Sequence, residues 1–371
     1  MDFGFSEEQE AAREAAQGVF AGVTVDTVPS PALTAGTVAQ DFDRDLWGRL
    51  ARADLLGLTV PTEHGGAGLD AVALCLALRE AGRVLARVPL LETGAVALTL
   101  AEHGHAELRA ALLPRIAAGE LAVTVAGHGG SGHEPPELAV AAKSVDWYGG
   151  WELEGVQTAV PWARTADVVA VPARTADGHP LLAFLAPADT PGVALEAQAS
   201  TNGESYARMR LDGVRVPARD VVEGPEAAGH LRRLLTTGTC ALALGLGSRV
   251  LEMTSTYVSS REQFGFAVAT FQAVAVQTAD RYIDLRAMEA TLWQAAWRLE
   301  PTAVAVAKMW AADGVRRVVQ TAQHLHGGTG ADTDYPLHRF HAWAKQWELS
   351  YGSAAAHEDA LAELLATREP A

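Results

Sequence analysis

The hydrophobic period of this chain changes twice, and that double switch limits the fold to a helical, then β, then helical order. Up to about residue 118, apolar residues recur at helical spacing. Ser6, with Gln9 three residues on, has the form of a capping box and predicts a helix over 2–22 with Ala12, Ala16, Val19 and Phe20 among its apolar residues. Further helices are predicted over 42–54 (Phe42, Leu46, Leu50, Leu55), 70–85 and 89–117, the last broken near His103-Gly104. Pro29, Pro31 and Gly36 mark residues 24–40 as a loop, and 60–70 are dense in breakers. From Glu120 the pattern shortens to runs such as Leu121–Val125, Trp151–Glu154, Val168–Val171, Leu181–Leu185 and Ala207–Leu211, separated by turn residues. Short strands at this spacing predict a small antiparallel barrel or sandwich. After about residue 225 the helical period returns and persists to about 366. The expected division is 1–118 helical, 119–224 β and 225–371 helical, which suits 371 residues, a length beyond one typical core.

Composition narrows the function classes. The formal charge of −16 argues against binding to nucleic acid or to an anionic membrane surface, both of which need net basic surface. No uninterrupted apolar run reaches the roughly 20 residues needed to span a bilayer, and the acidic start Met1–Glu8 lacks the basic-then-apolar form of a signal peptide. Cys75 and Cys240 are the two cysteines, each inside an apolar helical pattern, and read as buried thiols of a cytoplasmic protein.

The chemistry-bearing residues gather in the last third. Arg261-Glu262-Gln263-Phe264-Gly265 leads to Phe271-Gln272, and a long amphipathic stretch ends in His324-Leu325-His326-Gly327-Gly328. Arginine offers a bidentate donor to phosphate oxygens. Glycine lets main chain approach a ligand, and helix N-termini present free N–H groups to negative charge. An extended anionic dinucleotide needs these parts, although Arg-x-x-Phe-Gly is also an ordinary helix stop and His-Gly-Gly an ordinary turn. His324, His326, His338 and His341 have no carboxylate or cysteine at supporting spacing, so no metal is expected there.

In this order, and together with the Leu-Gly-Leu…Val-Pro…Gly-Gly-x-Gly-Leu-Asp run at 56–70 and the Leu211–Pro217 exit, these motifs resemble the acyl-CoA dehydrogenase family over nearly the whole chain. The resemblance implies an α+β fold: an N-terminal helical domain, a middle β domain, and a C-terminal four-helix bundle. It implies FAD as cofactor and an acyl-CoA substrate. Arg261 would contact the pyrophosphate, with Gln263 and Phe264 beside the cofactor. Phe271 and Gln272 would reach a neighbouring subunit's adenosine portion, and Gly327 and Gly328 would lie against the ADP moiety. His324 stands where the family usually has Gln. In the middle segment, Thr124–Pro136 and Val156–Ala163 depart from the family's pattern around the flavin ring.

The catalytic glutamate is missing from both family positions. The usual one, aligned through Tyr335-Pro336 and Ala344-Lys345, holds Tyr351, and the minority one falls at Leu235 within the carboxylate-free run 234–238. Tyr351 as an unperturbed phenol is a poor base at neutral pH. Glu348, one helical turn earlier, is a second candidate but reads as a surface residue, and His357, Glu358 and Asp359 read as a helix start. The His324–Lys345 segment resembles actinobacterial members acting on steroid side-chain thioesters, which assemble as α2β2 heterotetramers with one glutamate-less subunit. Three readings stay open. The chain is the glutamate-less subunit of such a heteromer, or a self-sufficient homo-oligomer with a non-standard base, or a structural partner without flavin. All predict an oligomer, with Trp293, Trp297, Trp310, Trp343 and Trp347 shared between core and interface.

Overall fold

The computed structural model describes residues 4–34, 36–128, 139–145 and 149–367. Five helices form the first segment: α1 (Glu7–Phe20), α2 (Arg44–Arg52), α3 (Ala71–Arg83), α4 (Leu90–His103) and α5 (Ala106–Ala117). The predicted capping box is present at Ser6, whose side chain accepts from Gln9 N while the Gln9 side chain accepts from Ser6 N. The predicted break between α4 and α5 falls at Gly104-His105, where the His105 side chain caps α5 by accepting from Leu108 N.

Among the described residues eight strands follow: β1 (Val123–Val125), β2 (Val140–Val145), β3 (Gly150–Pro161), β4 (Val168–Thr175), β5 (Pro180–Leu185), β6 (Val193–Ala199), β7 (Ser205–Pro217) and β8 (Val221–Glu223). They make one sheet in the order β6-β7-β3-β2-β4-β5-β8, with β1 beside β4. The pairing corrects the antiparallel expectation. β1 and β2 both run parallel to β4, while the other pairs are antiparallel. The physical reason is that the long β3 pairs with β2 on one side and β7 on the other, so the chain re-enters at β4 beyond β2. Such pairing is settled between distant strands and leaves no local mark.

The last segment holds α6 (Pro225–Ser260), a two-stranded hairpin of β9 (Glu262–Gln263) and β10 (Phe266–Ala267), α7 (Gln272–Arg298), α8 (Pro301–His326), α9 (Leu337–Leu349) and α10 (Ala354–Ala366). Helix α6 is long and apolar enough to cross a bilayer by composition, but 83% of its most apolar window is buried inside the protein. Helices of the first and last segments contribute to one continuous apolar cluster, whereas the sheet has a second cluster of its own. The crossing of α3 and α6 is backbone-close. A Cβ on Gly82 would lie 2.2 Å from Leu242 O, and one on Gly245 would lie 1.9 Å from Arg79 O. No side chain fits between the two helices there. Of the tryptophans, Trp343 and Trp347 are core, while Trp297 is 63% exposed.

Candidate cofactor and substrate site

The predicted dinucleotide residues lie on two adjoining surface turns. Helix α6 stops at Ser260, and Arg261 opens the β9–β10 hairpin. Its turn residues Phe264 (φ 54°) and Gly265 (φ 80°) both adopt left-handed backbone, the two-residue hairpin geometry that favours glycine. Arg261, Gln263 and Gln272 are exposed, Phe264 is 88% exposed, and Phe271 caps the start of α7. Among the described residues nothing pairs with the Arg261 guanidinium. At the second turn α8 ends at His326, Gly327 takes φ 57°, and a Cβ added at Gly327 or Gly328 would meet nothing within 4 Å.

Tyr257 joins the two turns. Its hydroxyl bonds to His326 O at 3.3 Å and Thr329 Oγ1 at 3.2 Å, and its ring stacks on His326 at 4.4 Å. His326 is buried, and burial lowers its pKa. Its Nδ1 lies 2.8 Å from Ala322 O, which only accepts, so Nδ1 carries the proton and Nε2 accepts from Tyr335 Oη at 3.1 Å. His326 is therefore a buttress under the glycine turn, while His324 points to solvent. The set Arg261, Gln263, Phe264, Phe271, Gln272, His324, Gly327 and Gly328 forms an open surface, and none of these residues lines the interior spaces described below.

The position aligned with the family's usual glutamate lies inside the protein. Tyr351 sits at φ 59° in the turn between α9 and α10, is 4% exposed, and stacks on His128 with centroids 4.5 Å apart and planes at 23°. Three spaces adjoin these two rings. An inner cavity of about 60 Å³ is bounded by Glu92, His128, Trp162, Tyr206, Trp347 and Tyr351. Beyond Tyr351 lies a space of about 250 Å³ with Gln157, Arg174, Arg232 and Leu235 on its walls. Beyond His128 lies one of about 440 Å³, lined by Thr158, Gln198, Lys345 and Ser350. Small-molecule pockets run to roughly 300–1,000 Å³, so the inner cavity holds a few waters and no acyl chain.

The turn carrying Tyr351 is fixed from both sides. Lys308, fully buried, donates from Nζ to Trp347 O at 2.8 Å and Glu348 O at 3.0 Å, and burial pulls its pKa to about 8. His357 Nε2 donates to Tyr351 O at 2.9 Å. Burial pushes the Tyr351 phenol well above its ordinary pKa, with Glu92 and Tyr206 adding to the shift, so it is no base at neutral pH. Glu348 is held by Lys345 at 2.6 Å and by Arg316 at 4.0 Å. It lines none of the three spaces, and Leu235 is buried and apolar. Residues 129–136 of the glycine-rich stretch lie outside the described residues.

The sequence reading missed Glu92 on α4. It is 8% exposed beside Tyr351 and Tyr206, and desolvation raises its pKa to about 7. Its only local signal was a carboxylate in the otherwise apolar run 88–101. The reading also missed the bulge in β3 at Thr158-Ala159, where Gln198 accepts from Ala159 N at 2.9 Å and shares a bond with Thr158 Oγ1.

Comparison with known proteins places this geometry. Residues 6–120 match the description "Acyl-CoA dehydrogenase, N-terminal domain" and residues 234–366 match "Acyl-CoA dehydrogenase, C-terminal domain". The acyl-CoA dehydrogenase FadE27 of Mycobacterium tuberculosis is 37% identical over 364 residues, spanning 92% of this chain and 94% of that protein. The chain belongs to the acyl-CoA dehydrogenase family. Members of this family bind FAD and are oxidoreductases acting on acyl-CoA. Among solved structures, a chain of the ChsE4–ChsE5 complex from M. tuberculosis superposes with TM-score 0.89 at 34% identity, covering 100% of both chains. A chain of a Tcur3481–Tcur3483 steroid acyl-CoA dehydrogenase variant gives TM-score 0.87 at 38% identity, covering 97% of this chain and 98% of that one. Glutaryl-CoA dehydrogenase in complex with glutaryl-CoA, at 22% identity and TM-score 0.86, shares the fold. For an acyl-CoA dehydrogenase, the open Arg261–Gln272 and Gly327–Gly328 surface fits the phosphate end of FAD: it offers an unpaired guanidinium and main chain that no side chain obstructs.

Proposed function

We propose that this chain is the glutamate-less half of a heteromeric acyl-CoA dehydrogenase, an α2β2 heterotetramer acting on a bulky thioester such as a CoA-linked steroid side chain. Bound FAD would accept a hydride from the acyl β-carbon. In this reading the chain supplies the phosphate-side contacts through Arg261, Gln272 and Gly328, and the partner subunit supplies the carboxylate that takes the α-proton. The observation that carries the proposal is an asymmetry within one chain. The outward cofactor surface is open, while the inward cavity beside the Tyr351–His128 stack is narrowed to about 60 Å³ and has no carboxylate at either family position. The heteromeric composition of the ChsE4–ChsE5 and Tcur3481–Tcur3483 structures supports a second subunit type, and the steroid description of the latter supports the substrate class.

The test is co-expression with an acyl-CoA dehydrogenase-like chain, followed by mass and flavin stoichiometry. One FAD per unlike pair is expected, with the lone chain inactive. Arg261→Ala should lower FAD content in the complex, and unchanged content would contradict the assigned contact. A yellow, active homotetramer of this chain alone would refute the heteromeric reading and turn attention to Glu92 as an internal base.

A further inference from the structure

A cluster of nitrogen and oxygen donors lies where α4 ends, outside the lining of the inner cavity and of the cofactor surface. Glu102 and His103, the last residues of α4 before Gly104, meet His230 in the second turn of α6. The two imidazole rings stand edge to face with centroids 5.0 Å apart. His230 Nδ1 lies 3.5 Å from one Glu102 oxygen, and His103 Nε2 lies 3.9 Å from the other. One donor atom from each residue falls within 4.8 Å of those of the other two. His230 is 8% exposed, and His103 Nε2 is buried without a hydrogen-bond partner among the described residues. A buried ring nitrogen left unpaired costs its desolvation and gains nothing back unless a ligand occupies it.

We propose that Glu102, His103 and His230 bind one zinc ion, or a similar borderline divalent cation, that ties the α4–α5 turn to the start of α6. Zinc takes imidazole nitrogen and carboxylate oxygen at about 2.0–2.2 Å, so its tetrahedral ligands stand roughly 3.3–3.6 Å apart. The observed gaps of 3.5 and 3.9 Å run to different Glu102 oxygens, and donors that now lie within 4.8 Å of one another must draw in to that spacing; the Glu102 side chain, 61% exposed, is free to turn toward both rings. Two nitrogen donors favour zinc over magnesium or calcium, which prefer all-oxygen sites. Three protein ligands leave a fourth position for water. The segment held this way continues directly into Leu231, Arg232 and Leu235, which line the 250 Å³ space, so the ion would stiffen that wall.

The experiment is a zinc titration of the tag-free, chelator-stripped oligomer in competition with a chromophoric chelator, alongside thermal unfolding with and without zinc. One zinc per chain is expected, with a rise in Tm on addition. His230→Gln and Glu102→Gln should each weaken binding by about ten-fold or more, since even outer-shell partners of a metal are worth 10–100-fold. The exposed position of Glu102 lets its variant fold even if His230→Gln does not. His338→Gln, on the distant histidine group, should leave binding unchanged. Absence of a saturable site, or unaltered zinc affinity in Glu102→Gln, would overturn the proposal.

Discussion

Replacing Tyr351 with Phe removes a single oxygen from the wall between the inner cavity and the 250 Å³ space, and it separates a packing role from a chemical one. The Tyr351 hydroxyl is buried with no hydrogen-bond partner among the described residues, a state that costs on the order of 1–3 kcal/mol relative to a paired hydroxyl. The variant keeps the ring, its stack on His128 and its backbone angle, so the change should stabilise by about 1 kcal/mol. With an unfolding entropy of roughly 2.1 cal/mol/K per residue, a gain of that size raises Tm by about 1 °C for a chain of 371 residues. Urea unfolding at fixed protein concentration resolves this better than a melt. Turnover of the co-expressed complex on an acyl-CoA should stay within about two-fold of wild type, because a phenol held this far above its ordinary pKa takes no proton at neutral pH. Tyr351→Ala should instead cost about 3–5 kcal/mol by emptying the ring's place in the core. A Tyr351→Phe variant that is less stable, or whose turnover falls ten-fold, would refute the reasoning and make the hydroxyl a working group.

Other consequences can be measured directly. Gly245→Ala forces a Cβ to within 1.9 Å of Arg79 O at the α3–α6 crossing; a loss of about 3 kcal/mol or more is expected in chemical denaturation, because rigid backbone must move. Two buried groups should oppose each other in acid. Burial lowers the His357 pKa to about 4, so between an unfolded value near 6.5 and that folded value the unfolded chain binds the extra proton, and stability is lost as pH falls. Burial raises Glu92 to about 7, so its contribution is full below its unfolded value near 4.5 and is lost as pH rises to 7. Each slope amounts to about 2 kcal/mol between pH 5 and pH 7. Glu92→Gln should therefore become more acid-sensitive than wild type and His357→Gln less so, as followed by urea midpoints at the two pH values. Phe264→Ala, at a ring 88% exposed in the single chain, should leave a lone chain's stability within about 0.5 kcal/mol. The same change should weaken assembly with the partner by roughly ten-fold in analytical ultracentrifugation if the ring is an interface anchor.

Local information carried a large share of this protein. The helical segments, the α4–α5 break, the Ser6–Gln9 capping box and the five apolar strands were legible because period and caps are properties of a few consecutive residues. The Arg261, Phe271 and Gly327 signatures were legible for the same reason, since turn chemistry is written where the turn occurs. The empty glutamate positions also needed only residue identities, Tyr351 and Leu235. Strands β2, β6 and β8 were not legible: Val193–Ala199 is an edge strand, mostly exposed and short of branched side chains, that becomes a strand by pairing with β7. Nor was the parallel placement of β1 and β2 beside β4, or the cluster shared by the first and last helical segments. Three decisive features belong to tertiary structure alone. His128 meets Tyr351 from a distant part of the chain, Glu92 acquires its raised pKa from neighbours on other elements, and His230 reaches Glu102 and His103 from another helix. A side chain's role in each case is set by what surrounds it, and burial, ring stacking and donor clustering come into being only when distant segments pack.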